Sequence, residues 1–192
     1  MSRYIVGVTG ASGSVYAVRL LEELLSAGHE VHLVVSQMGR EVMEYETGKT
    51  ITPEFAHAYP KGKLVIHPHD DLFAPISSGS YPSDGMVIVP CSMTTLGEIA
   101  AGTSRNLLGR AADVCIKERR KLVLVPRELP FSSIHLRNML TLSETGVVIL
   151  PANPGFYHKP ETVADIVDFI VSRILDSLGI ENNLYHKWRP EE

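Results

Sequence analysis

The sequence predicts a three-layer α/β fold, a doubly wound parallel sheet with helices on both faces. Three observations carry this. Short runs of β-branched and aliphatic residues recur at 4–8, 30–36, 64–67, 86–90, 121–125 and 147–150. Near-continuous apolar runs of that length are the strands of parallel sheets, buried on both faces. Segments of helical periodicity lie between most of them, as parallel crossovers require. Several strands also end in turns built from Gly, Ser and Thr. The 192 residues fit one domain, expected over 1–180. A polar tail, 181–192, is expected to pack on the domain or on a neighbouring subunit.

Composition narrows the function classes. A net charge of −4 points to neither a nucleic acid nor an anionic membrane as partner. No apolar run has the length of a membrane span. Met1-Ser2-Arg3 runs directly into a strand, so no signal peptide is expected. Cys91 and Cys115 fall in elements predicted to be buried, which fits a reducing compartment and a cytoplasmic location.

The first 36 residues organise the rest. The strand at 4–8 leads into Thr9-Gly10-Ala11-Ser12-Gly13, and Val15, Val18, Leu21 and Leu25 then mark an amphipathic helix. Gly28 ends that helix, and 30–36 forms the second strand of a βαβ unit. A Gly- and Ser-containing turn at a helix N-terminus offers free N–H groups and the positive end of the dipole, which suits a phosphate. The spacing is G-x-x-G, not the dinucleotide G-x-G-x-x-G, and Ser36 stands where an acid would hold a ribose diol. The turn therefore favours a mononucleotide phosphate, such as that of FMN, over NAD. A tight strand–helix turn with no ligand is the plain alternative.

Further along, 38–47 reads as a helix with Val42 and Met43 inward and Gly48 as its stop. Residues 49–62 are expected to be irregular, with Thr52-Pro53 and Tyr59-Pro60 breaking any helix. His67-Pro68-His69-Asp70-Asp71 carries metal-like side chains, but no second cluster at ligand spacing supports a metal, and a solvated loop is the better reading. Ser77-Ser78-Gly79-Ser80 is a polar loop. The strand at 86–90 ends in Cys91-Ser92-Met93-Thr94-Thr95, where a helix begins. Those hydroxyls either cap the helix or meet a ligand at a strand's C-terminal end.

The next helix, 106–117, turns Leu107, Leu108, Ala111, Val114 and Cys115 inward, carries Arg110, and ends in the basic run at Lys117. The strand at 121–125 stops at Pro126-Arg127-Glu128, a charged pair that either forms a surface salt bridge or faces a ligand. A helix follows from 132 to 144. Pro151, Pro154 and Pro160 stiffen the loop holding Phe156-Tyr157-His158. The last helix, 161–178, is expected to bury Val163, Ile166, Val167, Ile170 and Ile174. Arg173 shares the edge of that stripe, where a guanidinium needs a partner. Asp176 at i+3 is one, a ligand phosphate another.

The strand-end residues and their wording resemble the UbiX-type flavin prenyltransferase family. The stretches that match are GVTGASG at 7–13, SSGS at 77–80, PCSMTTL at 90–96, RAADVCIKERRKLVLVPRE at 110–128, FSSIHLRNML at 131–140 and PANPGFYHKPE at 151–161. They follow in order over nearly the whole chain. The resemblance implies a flavodoxin-like or Rossmann-like fold and a homododecamer with flavin sites at subunit contacts. It implies transfer of a dimethylallyl group from dimethylallyl phosphate to N5 and C6 of reduced FMN, without a metal. The prenylated FMN then serves a UbiD-type decarboxylase. By the same resemblance Gly10, Ala11, Ser12, Ser36, Ser92, Met93, Thr94, Thr95 and Arg127 hold FMN. Tyr157 and Arg173, with Arg110 and Lys117, hold the prenyl phosphate. Ser12, Glu46 and Glu128 join Lys117, Tyr157 and Arg173 in the catalytic set, and Trp188 lies against the prenyl group. Many relatives carry Lys where this chain has Thr94.

Two other readings use the same scaffold. An FMN-dependent decarboxylase would want a catalytic His and a reactive Cys, for which His135 and Cys91 are present. A non-catalytic flavin carrier would need no second phosphate site.

Overall fold

The computed structural model describes residues 1–185; Trp188 lies outside the described residues. Six strands, β1 (Arg3–Val8), β2 (Glu30–Val35), β3 (Lys63–His67), β4 (Gly85–Cys91), β5 (Leu122–Pro126) and β6 (Val148–Ile149), form one all-parallel sheet in the order β3-β2-β1-β4-β5-β6. This is the Rossmann strand order; the flavodoxin order differs. The winding reverses between the adjacent strands β1 and β4. Their C-terminal ends therefore part into a crevice, where such sheets bind ligands.

The helices are α1 (Ser14–Ser26), α2 (Gln37–Thr47), α3 (Met93–Ala100), α4 (Leu107–Lys117), α5 (Ser133–Glu144) and α6 (Val163–Leu178). Strand alternation divides the core in two. Tyr4, Val6 and Val8 face α1 and α6, while Ile5 faces α4 on the other side with Met86, Ile88 and Leu108. Leu20, Leu21, Leu24 and Leu25 of α1 are wholly buried. Each contributes about 1.5–3 kcal/mol of transfer free energy. Gly13 stands at the N-cap of α1 with φ 115°, a conformation that opens the turn to a glycine and strains other residues. Gly48 and Gly179 end α2 and α6 in the same left-handed region.

Three local expectations need correction. Residues 49–62 are not wholly irregular: Pro53–Ala58 forms a 3-10 turn, because proline at a helical start loses no needed N–H. Val15 and Val163 are exposed, at 40% and 75%. Both sit in the first turn of their helix, and both line one open trough instead of packing into the core. Arg173 is also exposed, its side chain at 51%, and it pairs with Asp176 at 3.1 Å. The burial argument for a ligand at Arg173 fails, and the i+3 partner is present.

Candidate functional site

The β1 and β4 ends are stitched together. Thr9 Oγ1 donates to the Pro90 carbonyl at 2.8 Å and accepts from Ser92 N at 2.7 Å. Pro90 sits where the β4 register shifts, the place in a central strand where a missing donor is tolerated. This brace fixes the two turns that form the floor of the crevice. Gly10 is pressed against α2: a Cβ there would meet Met38 Cβ at 2.6 Å. The contact brings the N-terminus of α2, capped by Ser36, up beside Gly10.

A cavity of about 420 Å³ opens at this point, lined by Gly10, Ala11, Ser92, Met93, Thr94, Arg127 and Glu128. The sequence reading named all seven. Ile134, His135 and Asn138 of α5 complete it. The reading missed Ile134 and Asn138 as lining residues, although their i, i+4 spacing on a helix that follows a strand end was legible. Thr95 stands behind Ser92, its N–H donating to Ser92 Oγ at 3.2 Å. The hydroxyls thus cap α3 and border the cavity at once. Glu128 Oε1 accepts from Leu129 N at 3.0 Å. The donor set of hydroxyls, helix N–H groups and one guanidinium, beside the apolar Ala11, Met93 and Ile134, fits a flat polar-edged ring system such as a flavin.

Ser12 and Glu46 lie next door. Arg127 Nε donates to the Ser12 carbonyl at 3.3 Å, which joins the two places. The Glu46 carboxylate accepts from Gly13 N at 3.0 Å and from Ser14 N at 2.9 Å. Burial pushes its pKa up, but the Ser12 hydroxyl and these two N–H groups outweigh burial and hold it below the usual carboxylate range. The N-terminus of α1, read as a phosphate site, is therefore filled by the chain's own anion. An open trough continues from Ser12 past Val15, Val18 and Val163 to Lys49.

The other phosphate-side residues do not line this cavity. Arg110 Nε donates to the Ser77 carbonyl at 3.0 Å and Nη1 to Asp113 at 2.6 Å. Lys117 pairs with Glu118 beside Gly79. As the last residue of α4 it lies toward the start of β5, at the opposite end of the strands from the crevice. Tyr157 and Arg173 both act on Tyr185, beside α6. Tyr157 packs edge-on against Phe169, and Tyr185 hydrogen-bonds to Tyr157 within the field of Arg173. Burial, and then Tyr157, raise the Tyr185 pKa. The sequence reading assigned Tyr185 no role at this place. The gathering of all strand-end and phosphate residues into one set does not occur within one chain.

The residues wanted by a decarboxylase are otherwise engaged. His135 Nδ1 accepts from Ser132 N at 3.2 Å in a capping box, although the ring also borders the cavity. Cys91 is fully buried and its thiol is pushed up to about 12 by burial. Among the described residues no group of three or more His, Cys, Asp or Glu is placed to hold a metal. No described helix is long and apolar enough to cross a membrane.

Fold and crevice together define an α/β flavoprotein, and the Flavoprotein family model matches residues 1–175. The flavin prenyltransferase UbiX of Thermoplasma acidophilum is 52% identical over 188 residues, covering 97% of this chain and 99% of its own. That of Halalkalibacterium halodurans is 49% identical over 193 residues, covering 98% and 94%. Among solved structures, AnUbiX (PadA1) in complex with FMN and dimethylallyl pyrophosphate superposes with a TM-score of 0.91 at 41% identity, over 100% of this chain and 99% of that one. A dodecameric FMN-dependent UbiX-like decarboxylase from Escherichia coli O157:H7 gives 0.89 at 46% identity, over 98% and 100%. The chain belongs to the flavin prenyltransferase UbiX family.

Proposed function

We propose that the protein is a flavin prenyltransferase that binds FMN in the cavity between β1, β4 and β5 and takes its prenyl group from dimethylallyl phosphate. The single observation that carries the reading is this cavity at the winding reversal, with seven family-type residues converging on it. FMN supplies, once reduced, the N5 and C6 atoms that take the five-carbon unit. Gly10, Ala11, Ser92, Met93, Thr94 and Arg127 hold it directly; Ser36, Ser12 and Thr95 support from the adjoining turns. Cleavage of the allylic C–O bond leaves negative charge on the phosphate, so the cations and the tyrosine act by holding that charge. Arg173 and Tyr157 are the residues assigned to it. Glu128, at the cavity wall, is placed to move a proton. Glu46 stays ionised and orients Ser12 and the α1 turn. Recovery of prenylated flavin from reduced FMN and dimethylallyl phosphate tests the reading.

Assembly belongs to the same proposal. Arg110 and Lys117 stand apart from the cavity within one chain, so they serve it only from a neighbouring copy. α5 buries Leu142 alone and exposes Ile134, Leu136 and Leu140 at 64%, 53% and 60%. Such a face suits burial between subunits. We infer a homododecamer like the Escherichia coli relative, a cytoplasmic location and a UbiD-type decarboxylase as recipient of the product. The domain extends over 1–180, with 181–192 as a tail whose first residues lie on α6. The carrier reading leaves the Tyr157–Tyr185–Arg173 cluster without a task.

A further inference from the structure

A second cavity, of about 480 Å³, lies beyond the C-terminal ends of β2 and β3 and shares no lining residue with the flavin cavity. Val35, Met43, Ile51 and Ile66 give it apolar walls, Arg40 and Lys49 bring cations, and His67 stands among them. His67 is only 9% exposed, and its ring is fixed by a chain of buried polar groups. His67 Nε2 is 2.8 Å from His32 Nδ1, and His32 Nε2 is 2.7 Å from Glu30 Oε1. Burial opposes ionisation of Glu30, but hydrogen bonds from Arg3, His32 and Lys63 hold it at about 2.

The hydrogens along this chain follow from Glu30. A carboxylate only accepts, so His32 Nε2 carries the hydrogen. The neutral His32 ring then accepts at Nδ1, and His67 Nε2 donates to it. His67 Nδ1 is left as an acceptor, with no hydrogen bond inside the described residues. Among the described residues the sealed polar atoms that lack partners are on Ser14, His29, Ser83 and His158; His67 Nδ1 is not one of them, and His67 is a lining residue of the cavity. A polar network that merely satisfied itself would not leave its last nitrogen without a partner on a residue that lines a cavity. Arg40 makes no ion pair among the described residues, while Lys49 is 3.8 Å from Glu22. Asp70, on the exposed lip, is the one carboxylate among the lining residues.

We infer that this cavity is a second small-molecule site, for an aromatic anion whose ring carries an N–H or O–H donor. The donor meets His67 Nδ1, the ring lies between the aliphatic walls, and the anion faces Arg40 and Lys49. Met43 gives the wall an adaptable surface.

Calorimetric titration of the full chain tests this with three probes: adenosine monophosphate, indoleacetate, and naphthylacetate, which matches indoleacetate but lacks the ring N–H. The inference expects a donor-bearing anion to bind at least about tenfold tighter than naphthylacetate, the worth of one hydrogen bond with a buried partner. Binding of adenosine monophosphate alone assigns the site to nucleotides, and binding of indoleacetate to aromatic acids. Saturating FMN should leave the affinity unchanged, and Arg40→Ala, at an exposed position, should weaken it about tenfold or more. Nitrogen NMR should show His67 Nδ1 shifting on titration. Equal binding of naphthylacetate, displacement by FMN, or indifference to Arg40→Ala overturns the inference. Prenylation activity is read separately, so failure here leaves the proposed function standing.

Discussion

The Glu46 carboxylate closes the N-terminus of α1 by accepting from Ser14 N at 2.9 Å, across 32 residues of chain. An anion at this helix end interacts favourably with the dipole, and it keeps external phosphates off it. Glu46→Gln should therefore cost about 0.5–2 kcal/mol of stability. Glu46→Ala should make the melting temperature rise with added phosphate, as the vacated N–H groups find another anion. Unchanged stability in Glu46→Gln contradicts the capping role.

Arg173 sits in solvent and pairs with Asp176, so its removal is tolerable to the fold. Arg173→Ala should lose at most about 1 kcal/mol, the range of exposed ion pairs. FMN affinity should stay nearly constant. Turnover should fall about 30- to 1000-fold, on the order of 2–4 kcal/mol in the barrier, if the guanidinium holds the leaving phosphate. Normal turnover removes Arg173 from the phosphate site.

The strands, the helices and the seven-residue wall of the crevice cavity were legible because they are local or motif-borne. Apolar runs mark buried strands, and the turns that line the crevice follow directly from them. The Glu46 cap was not legible, since nothing near Ser14 signals a partner 32 residues away. Val15 and Val163 obey the helical period yet stay exposed, because period alone does not report which turns of a helix another element covers. The exposure of Arg173 follows from the same gap: a stripe edge is buried only where another element covers it.

Cys91 distinguishes this protein from a flavin enzyme that works through a thiolate. Burial pushes its pKa up to about 12. Native protein should resist iodoacetamide at Cys91 at pH 8, with labelling only on unfolding. Cys91→Ala should keep prenylation within about threefold, the kinetic equivalent of a sub-kcal/mol change. Rapid native labelling with loss of activity returns the decarboxylase reading.

Stability should fall as the pH is lowered below neutrality. His32 and His67 are held below their ordinary 6.5 chiefly by burial. The folded state thus favours their neutral forms, and stability declines as pH drops below about 6.5, where the unfolded rings take up protons. Glu30, lowered from 4.5 to about 2, adds a second loss between those values. Its contribution is complete above 4.5 and fades as pH falls through the lower value. Melting temperatures from pH 7 to 3 should show both phases. His67→Gln should flatten the first, and a flat profile in the parent protein removes the titration account.

Catalytic transfer of a prenyl unit to bound flavin is the activity proposed for this protein. Anaerobic incubation of the protein with reduced FMN and dimethylallyl phosphate, followed by mass spectrometry of the released flavin, measures it directly. Flavin heavier by one five-carbon prenyl unit, formed with the parent protein and depressed in Arg173→Ala and Glu128→Gln, is the predicted result. Recovery of unmodified FMN from a protein that binds flavin well would make the protein a flavin carrier, not a prenyltransferase.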